Sequence, residues 1–360
     1  MKTKFIFILT LFLLVQTSYA QTDKERAMEI GNKAIELMDS GAIDSSLVLL
    51  KQAQILDPEN ISIPYEIALA HYLKEEYGEA IRIFDKLKDH EKANARFWQS
   101  LGNAYSMNGE PENALKTYEK GLEKFPTSGG LHMEIGTLKV RAENPSDALP
   151  HYEKGIKVDP LFSSNYHHIA NLYSVSTEVV WTMIYGEIFM NLERGSKRTA
   201  EMSMRLFDAY KQQIQFEGND SISVSFSEDN SVSLDLDNLE NMKLPFGMLT
   251  YEPLMSLAVV GEKEITIESL NRIRTKFLEQ YNEHEGRQLY TYPNLVFDFQ
   301  KKVSDAGHLE AYNYWVLMQG DFDEFSTWRQ NNVEKWDNFL DWFTENSIWE
   351  TIQEHFSQTE

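Results

Sequence analysis

Apolar positions in the first half of the chain recur with helical spacing, and the helical segments themselves recur every 34 residues. Ala34, Ala68, Gly102, Gly136 and Ala170 are five small residues in one register. A second register, Ser46, Ala80, Ala114 and Ala148, is also small, and a third, Leu50, Phe84, Tyr118 and Tyr152, is large and apolar. Pro58, Pro126 and Pro160 hold a fourth, with Lys92 standing where one proline is missing. The pattern predicts units of two helices: a helix A with a small residue near its middle, a short turn, and a helix B with a small residue followed by a large one. Small residues let the helices cross closely, the large one fills the gap, and proline ends helix B. One such pair cannot bury its own apolar face, so the units must stack.

The unit from Ala95 to Ser128 puts Trp98, Leu101, Gly102 and Tyr105 on helix A, Ala114, Tyr118 and Gly121 on helix B, and Pro126 at its end. These residues resemble the tetratricopeptide repeat (TPR) family. Units starting near Ala27, Ile61 and Gly129 keep the phase but place Lys33, Pro64 and His132 where the family has large apolar residues. A fifth starts near Ser163 with Tyr166, Ile169, Ala170 and Tyr173, then departs. The resemblance covers about residues 25–175. It implies a helical solenoid of four to five repeats whose concave groove, lined by helix A opposite its small residues, binds a polypeptide. Carried over position by position, that groove takes Tyr65, Leu69 and Tyr72, then Arg96, Gln99, Asn103 and Met107, then Met133, Thr137 and Arg141, then His167 and Asn171. Gln99, Asn103, His167 and Asn171 suit hydrogen bonding to an extended backbone, and Tyr65, Tyr72 and Met133 suit apolar contact. Family members that clamp a C-terminal carboxylate surround it with cations and amides. Glu134 follows Gln99 and Asn103 here, an anion where that anion would sit, so the carboxylate-clamping subtype is not implied.

Beyond the fifth helix A, Trp181, Ile184, Tyr185, Ile188, Phe189 and Leu192 form an amphipathic stripe, read as a capping helix that joins the array to the rest of the chain. Arg194, Lys197 and Arg198 precede a helix to about Ile214. The period then changes. Ile222, Val224 and Phe226 alternate with serine, a turn signal comes next at 228–231, and Val232, Leu234 and Leu236 alternate again, which predicts a β-hairpin near 222–236. Two strands alone are marginal, so helices must cover its apolar face. Ile267, Leu270, Ile273, Phe277 and Tyr281 return to helical spacing, as do Val333, Trp336, Phe339, Leu340 and Phe343, while Gly320-Asp321 opens a short helix with Phe322 and Phe325. The fold class is therefore mainly α: a repeat array over 21–177 and a mainly helical C-terminal domain over 178–360, packed on the last repeat.

Residues 1–20 read as an address. Lys2 and Lys4 precede the apolar run Phe5–Val15, and Ser18-Tyr19-Ala20 is a small-residue cleavage site. The run is too short to span the roughly 30 Å of hydrocarbon in a bilayer. Export with cleavage after Ala20 is expected, hence a periplasmic or secreted protein.

Composition narrows the chemistry. The 360 residues include no cysteine, which excludes thiolate nucleophiles, thiolate zinc sites and iron–sulfur clusters. A formal charge of -22 opposes binding to a phosphate backbone. That charge is uneven: residues 306–360 carry 11 acids and 2 bases, and 217–242 carry 7 acids and none, whereas 21–216 hold 29 acids against 22 bases. The repeat surface is mixed enough to recognise a partner without an overwhelming field.

His167-His168 point their rings about 100° apart on a helix and cannot share a metal unaided. His90-Glu91 and His284-Glu285 lack a second histidine at the fifth position, where Asn94 and Gln288 stand. Asp220, Glu228, Asp229, Asp235, Asp237 and Glu240 match no calcium loop. No phosphate loop, nucleophile elbow or dinucleotide fingerprint is present. No metal, cofactor or catalytic residue is assigned, and the expectation is a protein without enzymatic activity, although a carboxylate pair brought together in space is open. Five of the seven tryptophans lie in 306–360. Helical spacing makes them core, with a glycan-binding platform as the rival, and Trp328, beside Arg329, Gln330, Asn331 and Asn332, is the candidate for it. The leading expectation is an exported scaffold or adaptor that holds a polypeptide. Its alternatives are a carbohydrate-binding or carbohydrate-processing protein acting through the acidic, aromatic C-terminal domain, and a chaperone-like envelope assembly factor. Oligomeric state is not assigned.

Overall fold

A computed structural model describes residues 22–217, 221–228, 245–287 and 290–357, and the chain forms two compact units, Met1–His151 and Tyr152–Glu360. The expected signal peptide lies outside the described residues.

The first unit is built of helix pairs: α1 (22–39) with α2 (Ile43–Leu56), α3 (Ser62–Leu73) with α4 (Tyr77–Leu87), α5 (Ala95–Met107) with α6 (Pro111–Lys124), and α7 (Gly129–Arg141) with the start of α8 (Pro145–Val158). Every helix A ends the same way. Gly41, Glu75, Gly109 and Glu143 are left-handed, at φ 84, 62, 80 and 60°. The next N–H, of Ala42, Glu76, Glu110 and Asn144, donates back to the carbonyl of Leu37, His71, Tyr105 and Lys139 at 2.8, 2.9, 2.9 and 3.0 Å. This is a Schellman ending, which satisfies carbonyls that the helix leaves open. It adds one more 34-residue register to those read from the sequence.

The small and large registers are buried throughout. Ala34, Ala68, Ser46, Ala80, Ala114, Ala148, Phe84 and Tyr118 are at most 1% exposed. The core is a series of clusters, each completed by the next helix A. Ala34, Leu47, Leu50 and Ala53 pack with Ile63, Ile67 and Ala70 of α3. The other face of α3 gives Tyr65 and Ala68 to a cluster with Phe84 of α4 and Phe97, Leu101 and Ala104 of α5. Trp98 of α5 joins Ala114, Tyr118, Leu131 and Ile135. No pair closes its own core, as stacking requires.

The second unit runs from within α8 through α9 (Ser163–Tyr173), α10 (Val180–Leu192), α11 (Lys197–Gln213), β1 (Ile214–Glu217), β2 (Ser221–Val224), a π-helical turn (Gly247–Tyr251), α12 (Glu252–Ala258), α13 (Ile267–Glu283), α14 (Thr291–Asp305), α15 (Leu309–Leu317), α16 (Phe322–Asn331), α17 (Val333–Glu345) and α18 (Ile348–Ser357). Helix α10 is not an amphipathic cap. Residues 180 and 182–191 are all buried, the polar Thr182, Glu187 and Asn191 among them, so it is a central helix enclosed on every side. The hairpin is also displaced from its expected place. Ser221–Val224 pairs antiparallel with Ile214–Glu217, with Ile214 opposite Val224 and Glu217 opposite Ser221. The expected second strand, 232–236, lies outside the described residues. Phe226 continues from β2 into the core, edge-on to Tyr210 and Tyr251. In α17, Trp336, Phe339 and Phe343 are buried, while Val333 and Leu340 lie on its exposed side.

Two charges sit at the centre of this unit. Glu187 of α10 and Arg274 of α13 are 3% and 4% exposed and form a two-pronged ion pair at 3.0 Å. Gln300 and the Tyr312 hydroxyl donate to the same carboxylate at 2.6 and 2.8 Å, and Arg274 donates to Asn313 and the Tyr210 hydroxyl. Burial works against the Arg274 charge, but Glu187, with the Tyr210 and Tyr312 hydroxyls adding, outweighs it and keeps the guanidinium protonated. Among the described residues, no helix is long and apolar enough to cross a membrane.

Candidate functional site

Helices α3, α5 and α7 each expose the side opposite their tightest packing, and polar side chains meet there. Gln99 and Asn103, one turn apart on α5, both donate to the same Glu134 oxygen on α7, at 2.8 and 3.1 Å. Asn103 in turn accepts a hydrogen bond from the Tyr118 hydroxyl, so this surface is wired to a core ring. One turn further on, Arg141 donates to Ser106 at 3.0 Å. The Glu134 carboxylate has about four acceptor positions, and the two amides take one oxygen, which leaves the other without a hydrogen bond among the described residues.

Several of these bonds share a spacing. Tyr65 with Ser100, Gln99 with Glu134, Ser106 with Arg141 and Asp89 with Lys124 are all 35 residues apart. Side chains one repeat plus one residue apart stitch neighbouring units together. Polar pairs at that separation were the signal for Ser100 and Ser106, which the position-by-position reading passed over.

The expected groove residues divide. Gln99 and Asn103 converge on Glu134. Tyr72 is half-buried, edge-on to Tyr77 at 5.5 Å, and its hydroxyl pKa is raised by burial, with Tyr77 and Glu134 adding and Arg141 opposing. Met133 and Thr137 are half-buried on α7, where the Thr137 hydroxyl donates to the Met133 carbonyl at 3.0 Å. Tyr65 is only 6% exposed: its ring packs between Phe84 and Phe97, and its hydroxyl bonds Ser100 at 2.8 Å. It is a core residue. His167 and Asn171 belong to the second unit, where they bond each other at 3.3 Å. His167 lies 4.7 Å from Phe189 and His168 stacks on Tyr152. Burial first, with Arg198 adding, lowers both imidazoles to a pKa of about 4, so they are neutral at physiological pH. Their planes stand 82° apart. Among the described residues, no group of His, Asp and Glu is placed to hold a metal.

In the second unit, a cleft of about 780 Å³ is lined by Asn271, Tyr314, Asp323, Thr327, Trp328 and Asn331, among others. Trp328 stacks on Tyr314, centroids 4.1 Å apart and planes 12° apart, and its Nε1 donates to Glu310 at 2.8 Å. Trp315 of α15 and Trp336 of α17 serve the core, both at 6% exposure, while Trp342 of α17 is half-buried.

The tetratricopeptide repeat family's sequence profile matches residues 95–138. That segment contains Gln99, Asn103, Tyr118 and Glu134. No curated protein matches the chain. Among solved structures, that of Pseudomonas aeruginosa PilF is 17% identical, covering 52% of this chain and 86% of its own, with a TM-score of 0.41. TTC0263, a thermophilic TPR protein of Thermus thermophilus, is 14% identical, covering 50% and 98%, with a TM-score of 0.43. YrrB, described as a TPR protein with an unusual peptide-binding site, is 18% identical, covering 51% and 94%, with a TM-score of 0.32.

Proposed function

We propose that the chain, whose residues 95–138 match the tetratricopeptide repeat family, is an exported, non-enzymatic interaction scaffold that holds an extended polypeptide against α3, α5 and α7. The observation that carries this reading is the half-satisfied Glu134, held by Gln99 and Asn103 on a surface that also offers Tyr72, Met133 and Arg141. Backbone N–H groups or a cationic side chain of the partner complete the carboxylate, and Tyr72 and Met133 supply apolar contact. The first 20 residues support export, and a purified exported form beginning at Gln21 agrees with that part of the reading, whereas one retaining Met1 does not.

The test is cross-linking in cells from a photoreactive residue at Met133, with one on the α6 exterior at Glu119 as the control, and identification of the adducts by mass spectrometry. One dominant adduct from Met133 alone agrees with a scaffold, and its purified partner should lose most of its affinity for Q99A/N103A/E134A. A smear of many clients assigns the chaperone-like alternative. No adduct at Met133, or undiminished binding by the triple variant, removes the groove assignment.

The Tyr314–Trp328 cleft supports a second reading, carbohydrate binding by the second unit, since an aromatic pair beside Asn and Asp side chains suits a sugar ring. A glycan array probed with the full chain and with Trp328→Ala tests it. Silence, or equal signals from both proteins, ends this reading.

A further inference from the structure

On the first unit, away from the Glu134 surface, a pocket of about 260 Å³ opens between α4, α5 and α6. Lys88, Lys116 and Lys120 line it against one carboxylate, Asp85, together with Trp98 and Tyr105. Lys88 is held by Asp85 at 2.7 Å and Asp89 at 3.4 Å. Lys116 and Lys120, one turn apart on α6, make no ion pair or hydrogen bond among the described residues. With Lys88 neutralised by Asp85 and Asp89, the unpaired Lys116 and Lys120 leave this pocket positive in a chain whose formal charge is -22. The Lys124 ammonium also lies near the ring, 4.9 Å from the Trp98 centroid, but it is paired with Asp89 at 2.6 Å.

A second observation is independent of the lysines. Trp98 is 3% exposed, and its indole N–H has no acceptor in the fold. A buried donor without a partner costs stability, and in this protein it belongs to a side chain that lines a cationic pocket. From this juxtaposition we propose that the pocket binds one oxyanion, a phosphate or a carboxylate, paired with Lys116 and Lys120 and accepting a hydrogen bond from Trp98. The volume admits a single anionic group rather than a drug-sized ligand. The inference does not rest on the peptide-binding reading, because it uses neither the same face nor the same residues.

Selective nitrogen-15 labelling of tryptophan in the protein provides the test. Sodium phosphate is titrated at neutral pH and constant ionic strength, with sodium chloride as the control. One indole N–H signal is expected to shift saturably, and it is the signal missing from Trp98→Phe. K116Q/K120Q, which alters only exposed side chains, is expected to weaken the apparent affinity about tenfold, the loss of two charge-assisted contacts. Acetate replaces phosphate in a parallel arm: saturation by acetate as well identifies a carboxylate-tolerant site, and saturation by phosphate alone identifies a phosphate site. The proposal is overturned if neither anion moves the Trp98 signal beyond the chloride control, or if K116Q/K120Q titrates as the wild type.

Discussion

Gly102→Ala is the sharpest probe of how the first unit is held together. A β-carbon at Gly102 would lie 2.1 Å from Cε1 of Tyr118, 2.5 Å from Cδ1 and 2.7 Å from Cζ. Carbon atoms rest at about 3.5–4.0 Å, so the ring must retreat by about 1.5 Å. It has nowhere to go. Tyr118 is 1% exposed and packed with Trp98, Ala114, Leu131 and Ile135. The cost therefore falls at the upper end for overpacking, about 3 kcal/mol, or two decades in the folding equilibrium. Urea unfolding monitored by circular dichroism measures it. Tyr118→Leu removes the ring atoms nearest the new methyl group, so G102A/Y118L should lose less than the sum of the single variants by at least about 1 kcal/mol. Tyr118→Phe, which deletes only the hydroxyl that donates to Asn103, should cost about 1 kcal/mol. A Gly102→Ala protein within about 0.5 kcal/mol of wild type, or strict additivity in the cycle, would refute the close-crossing argument.

Other outcomes are expected from single features. Gly109→Ala places a side chain at φ 80° and should cost about 1 kcal/mol, whereas Glu75→Gly at φ 62° in the same register should gain a few tenths, and thermal melts giving one sign for both would count against the shared Schellman ending. Arg274→Met strands the buried Glu187 charge and should cost about 4 kcal/mol, while R274M/E187L, which removes both charges, should be the milder variant by urea unfolding. His167 and His168 are held near pKa 4 from 6.5, so the unfolded chain takes up their protons first. Their neutral forms stabilise the protein fully above pH 6.5, and that contribution is lost as the pH falls from 6.5 towards 4. A stability profile over that interval should be flatter for H167N/H168F than for wild type, and parallel profiles would contradict the assignment.

What could be read in advance depended on how local the determining contacts are. The repeat registers were legible because each small and large residue meets a partner at a fixed separation, and every unit restates the rule. The left-handed register was half-hidden, since glycine marks it at 41 and 109 but glutamate occupies it at 75 and 143. Tyr65 shows the limit of position-by-position transfer. It shares its register with Gln99, Met133 and His167, which stand half-buried at the border of the core. An aromatic side chain at that border gains more by turning between Phe84 and Phe97 than by facing solvent, and leaves only its hydroxyl to Ser100.

The second unit obeys no such repeat, and its defining contacts are between residues far apart. Glu187 and Arg274 are 87 residues apart, and each alone reads as a surface charge. Only the fold reveals that α10 is enclosed on every side, which makes the charge in its middle dependent on a partner from α13. The same distinction explains the hairpin. Alternation identified Ile222 and Val224 as strand residues, but alternation says nothing about which segment pairs with them. The partner is Ile214–Glu217, where only Ile214 and Phe216 alternate at the end of α11, a signal too short to separate from the helix before it. Periodicity therefore resolves a structure that repeats, while in the second unit the decisive terms are a buried ion pair and a strand register, each set by residues that become neighbours only after folding.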